Sequence, residues 1–75
     1  MAKPNKSDAA TKKIGANLRR IRDARGLSQE KLADLSDVHH RTIQKVESGE
    51  MLMRLPTLFR IRAALKCSWE DLLGR

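Results

Sequence analysis

The stretch "LSQEKLADLSDVHHRTIQKVESGE", residues 27–50, decides how the rest of the chain is read. Ser28 offers an N-cap, because a serine hydroxyl accepts a hydrogen bond from a free amide of the first helical turn, and Leu32, Ala33 and Leu35 supply apolar positions of a short helix. After Ser36 only Asp37 and Val38 intervene before the helical pattern resumes, so the connection is a tight turn. A helix is predicted from His39 to Ser48, and Gly49 stops it with a left-handed backbone. At about 100° per residue, Val38, Thr42, Ile43 and Val46 fall on one side of that helix. His40, Arg41, Gln44, Lys45 and Ser48 fall on the other. Arg41 with Lys45, and His40 with Gln44, are i, i+4 neighbours, so their hydrogen-bonding tips share one outward patch. Taken alone, such a patch is an ordinary solvated helix face.

Working outward, residues 1–10 carry Pro4, Asn5, Ser7 and scattered lysines without hydrophobic periodicity, and read as a mobile basic arm. From Thr11 to Arg25, Ile14, Leu18 and Ile21 recur at steps of four and three, which predicts a helix that Gly26 ends. On the C-terminal side "EMLMRLP" reads as a loop, with Pro56 tolerated in the first turn of a helix marked by Leu58, Ile61, Ala64 and Leu65. "CSWEDLLG" supplies a Ser68 cap, Asp71 placed like the acidic member of a capping box, and apolar Trp69, Leu72 and Leu73. No segment alternates with period two. The expected fold is all-α: five short helices in one compact domain over residues 11–75.

Composition narrows the function. A chain of 75 residues can bury a modest core but has little left to wall off a deep catalytic cleft. A formal net charge of +7 favours an anionic partner. No apolar run approaches the roughly 20 residues of a membrane span, and the N-terminus has no hydrophobic signal region, so a cytoplasmic location is expected. A membrane-surface peptide would need a longer basic amphipathic helix than any here. Cys67 has no second cysteine and no metal-like spacing to His39 or His40, and reads as a small buried hydrophobe. The two adjacent histidines point about 100° apart on a helix and make a poor dyad. With no paired carboxylates, activated nucleophile or Gly-rich phosphate loop, no enzyme, cofactor, metal or small-molecule ligand is expected.

A short helix, a tight turn and a second helix with a polar outer face form the helix-turn-helix arrangement, whose second helix lies in the DNA major groove. The stretch resembles the helix-turn-helix of the lambda-repressor and Cro-like (XRE-type) family through Gln29, Glu30, Leu32, Ala33, Val38, Thr42, Ile43, Glu47 and Gly49. The likeness extends over about Lys13 to Leu73, and its pattern is similar to the small controller proteins of restriction-modification systems. Two positions depart from it: Asp37 stands where the turn usually has Gly, and His39 where the recognition helix usually has a Ser or Thr cap. The resemblance implies a lambda-repressor-like fold and a regulator that binds double-stranded DNA. Arg41 suits O6 and N7 of guanine and Gln44 suits N6 and N7 of adenine, at about 1 to 3 kcal/mol of discrimination per good pair. His40 and Lys45 join them as base-contacting candidates. Gln29, Ser48 and Arg19 are the phosphate candidates, and solvation is the plain alternative for each.

Arg22 and Glu47 sit on the flanks of apolar faces, where a charge needs a partner. They are expected to pair with each other, clamping the first helix to the third, and the resemblance points to the same pair. One such module covers little DNA, so a homodimer on a palindromic operator is expected. Phe59 and Trp69 with Met51, Leu52 and Met53 supply either its apolar surface or the core. Domains of this family also act as protein-binding modules, in antitoxins and coactivators, but such a module has no need for Arg41, Gln44 and Lys45 together.

Overall fold

The structure is a computed structural model and describes residues 6–74. Five helices follow in order: α1 (Lys6–Ala24), α2 (Gln29–Ser36), α3 (His40–Glu47), α4 (Leu55–Leu65) and α5 (Glu70–Gly74), the last a single wide π-type turn. Among the described residues there is no strand. Helix α1 begins five residues before the hydrophobic pattern does, so residues 6–10 form its first turns; the rest of the expected arm, residues 1–5, lies outside the described residues. Ala9 and Ala10 are exposed there. The extension therefore rests on the helix propensity of alanine, to which burial periodicity is blind.

The turns are closed by backbone geometry. At Gly26, Asp37 and Gly49 the chain is left-handed, with φ of 69°, 54° and 81°. In each case the next residue's amide reaches back to a helix carbonyl: Leu27 N to Arg22 O at 3.1 Å, Val38 N to Ala33 O at 3.0 Å, and Glu50 N to Lys45 O at 2.9 Å. These are Schellman closures, which satisfy carbonyls that a helix end otherwise leaves free. Asp37 thus performs the turn without glycine, at a backbone cost of about 1 kcal/mol. Ser28 caps α2 by accepting from Lys31 N at 2.9 Å. His39 occupies the cap position of α3 but makes no side-chain capping bond.

Leu18, Leu32, Ile43, Val46, Ile61, Leu65 and Leu72 are fully buried, so every helix contributes to one core. Gly15 lets α1 and α3 touch: a Cβ built there would lie 2.0 Å from Val46 O. Two residues further along, α1 holds the C-terminal segment through the buried Asn17, whose Nδ2 donates to Leu72 O at 3.0 Å. The carbonyls at the end of α4 are met by guanidinium groups. Arg25 donates to Leu65 O and Lys66 O, and Arg62 Nη1 donates to Cys67 O at 3.3 Å.

The aromatic residues lie mostly outside this core. Phe59 is 54% exposed and meets the half-buried Trp69 edge to face at 5.0 Å, while the Arg62 guanidinium lies 4.7 Å from the centre of the Trp69 ring. Met53 is core, Met51 is half-buried and Leu52 is exposed.

Candidate nucleic-acid interface

Helix α3 is held from behind on two levels. Ile43 and Val46 are fully buried against the neighbouring helices, and Thr42 is half-buried beside them. Above them the Glu47 carboxylate takes a bidentate fork from Arg22: Nε donates to Oε2 at 2.6 Å and Nη2 to Oε1 at 2.9 Å. Only 10% of the Arg22 side chain and 3% of the Glu47 side chain are exposed. Two parallel charge-assisted bonds fix orientation as well as distance. The hydrogen bond to Glu47 is the main reason that the Arg22 pKa is raised above its ordinary value, against the opposing effect of burial. Arg22 Nη1 also donates to Leu27 O at 2.6 Å, so the same guanidinium binds the loop between α1 and α2.

The second helix joins this cluster. Gln29 Nε2 donates to Glu47 Oε1 at 3.0 Å and so ties the start of α2 to the end of α3. A primary amide carries two N–H donors, so one remains for an outside acceptor. Gln29, Arg22 and Glu47, drawn from three elements, therefore form one polar unit. It sets the angle between α2 and α3 while the apolar contacts set their separation.

The outward stripe of α3 runs through His40, Gln44, Ser48, Arg41 and Lys45 in angular order. Arg41 and Gln44 are exposed, and His40 and Lys45 are half-buried. No hydrogen bond within the described residues engages the tips of Arg41 or Gln44, which leaves both free for a partner. The Ser48 hydroxyl lies 2.7 Å from Glu50 Oε2 and 2.9 Å from Lys45 O. Arg19 is exposed on α1, 3.9 Å from Asp23, an arrangement of little energetic weight. The structure thus gathers His40, Arg41, Gln44, Lys45 and Ser48 on one helix face, and puts Gln29 at the joint between α2 and α3. Arg19 stands on a separate helix.

The helix-turn-helix family model matches residues 18–72, from the core of α1 into α5. The chain belongs to the HTH_3 helix-turn-helix family. Relatives within it include the control protein C.SmaI of Serratia marcescens, 39% identical over 62 residues that span 83% of this chain and 74% of that protein. Among solved structures, the restriction-modification controller protein C.AhdI of Aeromonas hydrophila superposes with a TM-score of 0.81 at 36% identity, covering 85% of this chain and 97% of that one. An HTH_3 family transcriptional regulator of Vibrio cholerae gives 0.83 at 27% identity, over 89% of this chain and 38% of the other. The HTH_3 assignment makes the chain a DNA-binding regulator of transcription, and its fold is the one that the two matched solved structures share over the covered residues. No helix among the described residues is long and apolar enough to cross a membrane.

Sequence reasoning missed three participants. Gly15 carried a signal, since a glycine inside a helix pattern marks close approach of another backbone. Asn17 lies beside Leu18 and gave none. Glu50 lies just past the helix stop, where periodicity has nothing to say, and its meeting with Ser48 depends on the turn at Gly49.

Proposed function

We propose that this HTH_3 protein is a sequence-specific regulator that acts in the cytoplasm, lays α3 in the major groove of double-stranded DNA, and binds a palindromic operator as a homodimer. In this reading Arg41 reads a guanine and Gln44 an adenine, with His40 and Lys45 as further base contacts. Gln29, Ser48 and Arg19 meet phosphates, and the Arg22–Glu47 pair holds the reading helix without touching DNA. The folded chain acts as one DNA-binding domain.

The observation that carries this reading is the contrast across α3: its inner side is clamped by buried Ile43, Val46 and Glu47, while Arg41 and Gln44 stand exposed with unengaged tips. A helix pinned so firmly behind and left polar in front suits a rigid body that must enter a groove in one orientation. The homodimer rests on the exposed Leu55, Phe59 and Leu73 of α4 and α5, which give a second copy an apolar surface on helices other than α3.

Selection of bound duplexes from a random pool tests the proposal. The expected result is a set of related sites with two inverted half-sites about 34 Å apart. Affinity for them should fall with log salt at a slope near −5 if about six phosphates are neutralised. Unrelated sites, or a flat salt response, would end the specific-regulator reading. Replacement of Arg41, Gln44 and Lys45 by alanine together should abolish selection and leave the urea unfolding curve within about 0.5 kcal/mol of the parent.

A further inference from the structure

Ser48 stands in the middle of the outward stripe, yet its hydroxyl is already engaged. It has one proton and two acceptors within reach, Glu50 Oε2 at 2.7 Å and Lys45 O at 2.9 Å. The carboxylate is both nearer and charged, and is therefore the stronger acceptor. Glu50 does not arrive there by drift. The left-handed turn at Gly49 folds the chain back so that Glu50 N donates to Lys45 O at 2.9 Å, which returns its side chain to the end of α3.

The helix itself gives a carboxylate no help at this position. The position lies at the C-terminal end of α3, where the macrodipole is negative. Among the described residues no Lys or Arg forms an ion pair with Glu50. Ser48 lies eight residues after His40, about 12 Å further along the helix axis. If the first turns of α3 reach base edges, this last turn meets the strand wall of the groove.

We propose that Glu50 restrains DNA binding: it holds the Ser48 proton that a phosphate would otherwise take, and it sets a negative charge where the phosphate backbone must come. Glu50 is then a residue that sets affinity without reading sequence. The inference rests on α3 being the helix that enters the groove.

The test compares the parent chain with Glu50→Gln, Ser48→Ala and the double variant. The probes are a duplex selected from a random pool and one of unselected sequence. A like charge removed from near contact is worth about 1 kcal/mol in water, so Glu50→Gln should bind both duplexes about fivefold tighter at low salt. The preference for the selected duplex should stay as it was, and the gain should shrink as salt rises. Ser48→Ala should cost the Glu50→Gln chain several-fold and the parent clearly less, because in the parent the Glu50 carboxylate competes with the phosphate for the hydroxyl proton.

Three results overturn the proposal: Glu50→Gln binds no tighter; its preference changes at one base pair, which would make the carboxylate a base reader; or Ser48→Ala weakens both backgrounds alike. If the parent binds neither duplex, the recognition reading itself fails and this inference with it. Glu50 is exposed, so a thermal midpoint close to the parent's is expected and separates binding from folding.

Discussion

The seam between α1 and α3 and the outer edge formed by α4 and α5 solve different problems. At the seam, Gly15 admits Val46 O, Arg22 forks onto Glu47, and Gln29 closes the unit from α2. At the outer edge, Phe59 and Trp69 touch only in an edge-to-face pair, and Leu55 is 67% exposed. The seam is over-determined and needs no further partner. The edge leaves large apolar side chains in water. A recognition helix must be held to within a fraction of an ångström, and a dimer surface must remain open until its copy arrives. Under the function proposed above, the two regions answer those opposite requirements.

The contrast breaks most severely at Arg22. Arg22→Ala leaves the Glu47 carboxylate buried with only the Gln29 amide for company, and removes the donor to Leu27 O. Urea unfolding should show a loss of about 3 to 5 kcal/mol. A chain as stable as the parent would mean that water reaches the carboxylate, and the clamp would be reduced to a surface contact.

Gly15→Ala comes next, and here two effects oppose. Alanine is the better helix former by about 1 kcal/mol. Against that, its Cβ would meet a backbone oxygen at 2.0 Å, and backbone does not yield as a flexible side-chain tip would. Overpacking of this kind costs about 1 to 3 kcal/mol or more, so the clash wins and the variant should be less stable. The DNA affinity of the folded fraction should fall as well, since the displaced element is α3. A stabilised Gly15→Ala chain would show that the helices separate freely.

At the outer edge the same size of truncation should matter far less to the fold. Phe59→Ala forfeits an aromatic pair worth about 0.5 to 1.5 kcal/mol and little buried area. Its main effect should appear in sedimentation across a concentration series, as a shift toward monomer. If the dimer persists, Phe59 is not part of its surface.

How far the sequence reveals all this depends on the range of the interaction. Ser28, Gly26 and Gly49 are local features, and local chemistry announces them, whereas the left-handed turn at Asp37 followed from the family resemblance. The Arg22–Glu47 pairing was also legible, because a charge on the flank of an apolar stripe asks for a partner and the family resemblance points to the same pair. Phe59 was not decidable: a large aromatic residue at helical spacing looks the same whether it faces the core or a second copy. The start of α1 was hidden for the reverse reason, since Ala9 and Ala10 extend a helix without burying anything. Within the interface, face membership was readable from angle alone, whereas the capture of Ser48 by Glu50 requires the three-dimensional turn.

The smallest expected effect concerns the joint between the two regions' supports, at Cys67. This thiol is 6% exposed where α4 hands over to α5, and burial pushes its pKa above the ordinary 9.0. Raising an acid's pKa on folding means that the native state favours the protonated thiol. Its contribution to stability is therefore complete below pH 9.0 and is lost as pH rises through the elevated native value. Lysines begin to lose charge in the same alkaline range, so the parent curve alone cannot isolate the thiol. The informative quantity is the difference between the parent and Cys67→Ala in thermal midpoint against pH: flat up to about the thiol's ordinary value, then narrowing as the parent loses the advantage of its buried neutral sulfur. A difference that stays constant into strongly alkaline solution would mean that the α4–α5 joint opens readily enough for the thiol to titrate in water. In that case the looseness of the outer edge would reach into the core rather than stopping at Phe59.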